Sequence, residues 1–196
     1  MFFKPTASHN FNYHDRSVHD QWTFSVPVIK VFVNPNYNEQ PPTSDIALLK
    51  LARPLPLEDP SKYVSAICLP EAETNIDELA GQTAIATGYG SIQHIQGVTS
   101  SVLLKTNLTI VSQEVCKKEN PSVTSDVICA GADGHDVCTG DSGSELTTFN
   151  TKTNRWQLTG ISSYVITNCT GQFSRPSAFT RVSHMLPWIH QIMARN

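Results

Sequence analysis

Period-two alternation, not helical spacing, dominates the apolar positions of this chain. It is clearest where Val102, Leu104, Thr106, Leu108 and Ile110 alternate with Leu103, Lys105, Asn107 and Thr109, which predicts a half-buried strand with Asn107 facing outward. Phe24, Val26 and Val28 are followed in the opposite phase by Ile29, Val31 and Val33, so a strand with a bulge at 28/29 is expected there. Shorter apolar runs predict strands at 46–51, 64–69, 83–87, 127–130, 145–149, 156–165 and 178–182. Turn-forming stretches such as Asn34-Pro35-Asn36-Tyr37-Asn38 and Pro41-Pro42 separate them. Two segments change period. Residues 112–119 read as a short helix capped by Ser112 and ended before Pro121. Met185, Ile189, Ile192 and Met193, with Pro187 near the first turn, mark an amphipathic terminal helix that docks on the body. Residues 1–22 are polar, rich in His and Asn, and read as loop with at most one short strand. The pattern as a whole predicts an all-β fold closed by a C-terminal α-helix.

Composition narrows the function classes. The 196 residues suit one globular domain, and twelve prolines with ten glycines cut the chain into pieces too short for many helices. With 16% charged residues and a net charge of −3, neither a polybasic nucleic-acid binder nor an acidic disordered tail fits. No apolar run approaches the ~18 residues of a membrane span, so no membrane association is expected. Five cysteines, Cys68, Cys116, Cys129, Cys138 and Cys169, point to an oxidising compartment, and their odd number leaves one without an internal partner. The sequons Asn107-Leu108-Thr109 and Asn168-Cys169-Thr170 agree with secretion. The start, Met1-Phe2-Phe3-Lys4-Pro5, has neither the apolar core nor the cleavage site of a secretory leader.

Chemistry concentrates in Asp136-Val137-Cys138-Thr139-Gly140-Asp141-Ser142-Gly143. A glycine two residues before a serine lets the backbone turn sharply, so that the amides of Gly140 and Ser142 can converge on one point with the Ser142 hydroxyl beside it. That is an oxyanion hole next to a nucleophile; the plainer reading is a glycine-rich turn between strands.

Here the sequence resembles the trypsin/chymotrypsin family of serine endopeptidases, over nearly the whole chain. Besides Gly140-Asp141-Ser142-Gly143, the resemblance rests on Ser44-Asp45-Ile46-Ala47-Leu48-Leu49-Lys50-Leu51, Ile67-Cys68-Leu69-Pro70, Thr87-Gly88-Tyr89-Gly90, Ile128-Cys129-Ala130-Gly131, Phe179-Thr180-Arg181-Val182-Ser183 and Pro187-Trp188-Ile189. The separation of Asp45 from Ser142 is close to the roughly 93 residues between the last two members of the His-Asp-Ser triad. The resemblance implies a trypsin-like double β-barrel with its first barrel incomplete, hydrolysis of protein or peptide substrates, and no cofactor or metal. It assigns Ser142 as nucleophile, Asp45 as the carboxylate that orients an imidazole, and the Gly140 and Ser142 amides as oxyanion donors. Asp136 falls at the base of the pocket that selects Lys or Arg, where an exposed loop aspartate beside His135 is the plainer reading. Asp141 matches the carboxylate that pairs with a new N-terminal amine on zymogen cleavage. It further implies the disulfides Cys116–Cys129 and Cys138–Cys169, a lost bridge whose ends are Ala84 and Thr148, and a link from Cys68 to an upstream pro-segment.

Several positions depart from the pattern. The triad histidine is expected roughly 45 residues before the aspartate, which falls at the very start of the chain. His9, His14 and His19 precede Asp45 but lack the Ala-Ala-His-Cys setting, and they read as solvated loop residues. His94, His184 and His190 read as loop or helix surface. Ser144-Glu145 stand where the family has Gly-Pro, and Val165 and Ser177 stand at pocket-wall positions that are usually glycine, which narrows access to Asp136. The expectation is therefore one domain, 1–196, of a secreted trypsin-like endopeptidase lacking its N-terminal part, with the activation site and the catalytic-histidine segment. Such a chain is inactive as it stands, since removing the histidine costs about a millionfold in kcat. The alternative is a non-catalytic serine protease homologue acting as a binding or regulatory module.

Overall fold

The computed structural model describes residues 6–7, 24–55, 57, 65–71, 75–92, 98–165, 169 and 175–196. In chain order the strands are β1 (Thr6–Ala7), β2 (Phe24–Ser25), β3 (Val28–Val33), β4 (Asn38–Glu39), β5 (Pro42–Thr43), β6 (Ala47–Leu51), β7 (Thr83–Gly88), β8 (Leu104–Ile110), β9 (Val127–Gly131), β10 (Glu145–Asn150), β11 (Arg155–Tyr164) and β12 (Ser177–Arg181). The helices are α1 (Ile76–Leu79), α2 (Gln113–Glu119) and α3 (Val182–Arg195).

Six strands close into an antiparallel barrel in the order β10-β11-β12-β9-β8-β7. Alternate residues of β7 and of the second half of β8 face inward, and Ala84, Ala86, Leu108 and Ile110 join Ile128, Ala130, Leu146 and Phe179 in one buried cluster. Full burial of each large apolar side chain stabilises by roughly 1.5–3 kcal/mol, so this barrel is the body on which everything else is mounted. Gly160 of β11 is where the walls come closest: a Cβ there would lie 2.9 Å from Cβ of Phe179. Ala84 and Thr148 are register partners on β7 and β10, and the Thr148 hydroxyl pairs instead with that of Thr159 at 2.6 Å.

Among the described residues the other strands form two-stranded sheets: β1 with β2, β3 with β6, and β4 with β5. The expected phase slip is present, as a register shift between Val28 and Lys30 against β6. One side of the β3–β6 pair is anchored: Leu48 and Ile46 pack with Val182, Met185 and Ile189, so α3 docks between β6 and the barrel. The other side leaves Val31, Val33 and Leu49 exposed.

Both helices read from the sequence are present. Ser112 caps α2, its hydroxyl accepting from the Val115 amide at 3.3 Å. α3 begins at Val182, earlier than expected, which puts Pro187 inside it. The strand expected at 64–69 is a correction: in the described part, 65–69, Cys68 makes a single bridge to Gln157, and its carbonyl accepts from Leu158 at 2.8 Å. Pro70, which has no amide to donate, ends any further pairing. α1 was not foreseen; Asn75 caps it by accepting from the Asp77 amide. The disulfides Cys116–Cys129 and Cys138–Cys169 are both formed, and Cys68 is a free thiol. No described helix is long and apolar enough to cross a membrane.

Candidate active site

Ser142 is held on a turn that leads into β10. Gly140 and Gly143 have φ of +101° and +82°, the left-handed region that a side chain disfavours. The turn is fastened by the Asp141 amide to the Cys138 carbonyl (2.9 Å), Ser144 to Asp141 (2.9 Å) and Gly143 to Ser162 of β11 (2.7 Å). Those bonds use the amides of Asp141, Gly143 and Ser144, not those of Gly140 and Ser142.

The Asp141 side chain braces the turn from behind. Its Oδ1 accepts from the Gly90 amide at 2.7 Å and its Oδ2 from the Cys138 amide at 2.9 Å. Space is so tight that a Cβ on Gly88 would fall 1.9 Å from Oδ1, and one on Gly90 2.4 Å from the carboxylate carbon. Burial raises the Asp141 pKa above its ordinary 3.8, and the two amide bonds only partly offset this.

Asp45 reaches the same place from the segment ahead of β6. The Ser163 hydroxyl of β11 donates to its Oδ2 at 2.6 Å, and the Thr180 hydroxyl of β12 donates to its carbonyl at 2.8 Å. Just before it, Ser44 has φ of 48°, and its amide donates to Oδ2 of buried Asp126 at 2.5 Å. The barrel thus holds Asp45 twice, at its carboxylate through Ser163 and at its backbone carbonyl through Thr180.

Asp45 and Ser142 line one cavity of about 540 Å³, with Tyr37, Val33, Leu49 and Ile161. The Tyr37 phenol is raised from its ordinary 10.0 by desolvation and then by the Asp45 and Glu39 carboxylates. The described histidines, His135, His184 and His190, do not line this cavity, and His9, His14, His19 and His94 lie outside the described residues. Chemically, the cavity presents a serine hydroxyl and an oriented carboxylate, with the turn that carries Gly140 beside it.

Asp136 opens on a different cavity of about 480 Å³, which it lines with His135, Cys138, Asp141, Lys105 and Cys169. Its Oδ1 accepts from the Val137 amide at 2.8 Å and from the Ser177 hydroxyl at 2.5 Å. Ser177 is fully buried, and Val165 packs against the barrel core. Glu145 turns to the hydroxyl of Thr87 and does not line the cavity of Ser142. Sequence reading missed Ser163, Thr180 and Tyr37. Ser163 stands near the end of β11, two positions before Val165, so the pocket-wall alignment that singled out Val165 could have reached it.

The sequence model of the trypsin family matches residues 6–189. Transmembrane protease serine 7 of Mus musculus is 34% identical over 170 residues, covering 86% of this chain and 20% of that protein. The chain therefore spans about a fifth of the length of that relative.

Proposed function

The chain belongs to the trypsin family of serine proteases, and from that premise we propose a serine endopeptidase domain over 1–196, with Ser142 as nucleophile and Asp45 as the carboxylate that orients an imidazole. The observation that carries this reading is the shared cavity of Asp45 and Ser142, with Asp45 fixed by Ser163 and Thr180. In this mechanism the Ser142 oxygen attacks a peptide carbonyl, its proton passes to the imidazole, and the negative charge on the carbonyl oxygen is held by the Gly140 and Ser142 amides. The proton then goes to the leaving amine, and water hydrolyses the acyl-enzyme. Asp136 is the floor of the pocket for the substrate side chain in this reading, while Val165 and Ser177 pack behind it and do not line its cavity.

The imidazole is the part with no described candidate at the cavity, so the chain alone is slow. The expected outcome is faint fluorophosphonate labelling of Ser142 that rises with added free imidazole. The rise is lost in Ser142→Ala and strongly reduced in Asp45→Asn. Imidazole-independent labelling at full rate would mean that a histidine of the chain already serves. No labelling of folded protein at any imidazole concentration would favour the non-catalytic homologue. The retreat of Glu145 to Thr87 weakens that alternative, because the unusual carboxylate is kept away from Ser142. In the same reading Cys68, unpaired within the chain, is the residue that would form a disulfide with a cysteine of a pro-segment, and the two disulfides suit an extracellular setting.

A further inference from the structure

We propose that Asn107 accepts an N-linked oligosaccharide on the outer face of the barrel when the chain enters a secretory lumen, the oxidising setting that the two disulfides suit. The triplet Asn107-Leu108-Thr109 fits the acceptor pattern, an asparagine followed two positions on by a hydroxyl with no proline between. An oligosaccharide is bulky and solubilising, so a folded protein carries it only where the asparagine faces water. The pleat of β8 meets that condition. Side chains two apart on a strand share a face, so Asn107 and Thr109 lie on the outer side while Leu108 and Ile110 are buried in the barrel. Asn107 is exposed, and its register partner is Ile85 of β7. On the other flank β9 pairs with β8 only at Thr109 and Ile110. Among the described residues, then, no strand lies beside Asn107 there for a sugar to strike. Asn107 also lines neither the cavity of Ser142 nor that of Asp136.

In the transfer, the side-chain nitrogen of Asn107 bonds to the anomeric carbon of an N-acetylglucosamine carried on a lipid pyrophosphate. The bond from that carbon to the phosphate oxygen breaks, the lipid pyrophosphate leaves with the electron pair, and the nitrogen gives up one proton. The second triplet, Asn168-Cys169-Thr170, is differently placed. Its middle residue is bonded to Cys138 and has φ of 60°, so disulfide closure and sugar transfer compete for one segment. Leu108 is under no such demand.

The test is translation of the whole chain behind a cleavable secretory leader, with and without microsomal membranes, followed by peptide N-glycosidase digestion and electrophoresis. Import is read independently, as resistance to added protease. Imported wild type is expected to show one glycosidase-sensitive mobility step. The step is expected to vanish in Asn107→Gln and Thr109→Ala and to persist in Thr109→Ser and Asn168→Gln. Because the sugar is transferred as the chain enters, a variant that later misfolds still reports on the acceptor. The sugar-bearing wild type is further expected to stay soluble with one alkylatable thiol, that of Cys68. Imported chains without a step, or a wild-type step unchanged by Asn107→Gln, would overturn the proposal. Aggregation of the sugar-bearing fraction alone, with the bare chain soluble, would overturn it too, because the outer face of β8 would then not be open.

Discussion

At the scale of the residue, Asp141 is the most constrained group of the site, wedged against Gly88 and Gly90 with an amide on each oxygen. Because burial raises its pKa above 3.8, the folded state binds this proton more tightly than the unfolded chain does. Its contribution to stability is therefore fully present in acid and is lost as pH rises through the folded pKa. Asp141→Asn deletes that titration. In urea unfolding, wild type is expected to gain on the variant as pH falls from about 7 towards about 4; a difference constant with pH would refute this. Gly90→Ala is expected to cost about 1–3 kcal/mol or more by overpacking, because the new methyl group meets the carboxylate. Asp45, Ser142, Gly140 and Asp136 could be singled out as candidates from the sequence because each sits in a short motif whose residue types are chemically unusual. Ser163 and Thr180 were not, since a hydroxyl on a strand looks the same whether it meets water or a carboxylate, and only the register of β11 and β12 decides which.

At the scale of the element, the turn of Ser142 depends on covalent closure as well as hydrogen bonds. Cys138–Cys169 closes a separation of 31 residues that contains the turn, β10 and β11, and Cys116–Cys129 closes 13 residues between α2 and β9. By loop-closure entropy the two contribute about 4 and about 3 kcal/mol. Replacing Cys138 and Cys169 together by serine is thus expected to lower the denaturant midpoint more than replacing Cys116 and Cys129. It is also expected to abolish imidazole-dependent labelling of Ser142, whereas the second pair leaves labelling of the folded fraction intact. The legibility of elements follows the same logic of local against distant causes. β8 and α2 announce themselves through period and capping, which act within a few residues. The run at 64–69 has the same apolar character, but the bridge from Cys68 to Gln157 is fixed by a distant partner, and β propensity says nothing of whether one exists. The bulge at 28–30 was visible because a phase slip is written in the alternation itself.

At the scale of the whole molecule, stability and chemistry are supplied by different parts. The closed barrel buries Phe179, Leu108, Ile128 and Leu146, so Phe179→Ala is expected to cost about 3–5 kcal/mol. The β3–β6 pair supplies Val33, Ala47 and Leu49 to the wall of the Ser142 cavity and leads directly from Asp45, yet one face of it is open to solvent. A two-stranded antiparallel pair is at best marginally stable on its own, so this wall holds its shape through Ile46 and Leu48 against α3 and through the bonds of Asp45 to Ser163 and Thr180. Sub-global opening of the pair is then cheaper than global unfolding. Native-state hydrogen exchange is expected to find amides of β8 and β9 protected to the global limit, with those of β3 and β6 exchanging faster. Ser163→Ala should widen that gap, because it removes a bond that joins the two parts without touching the barrel core. Equal protection of both parts, unaffected by Ser163→Ala, would mean that the wall and the barrel unfold as one unit and that Asp45 needs no tether to stay in place.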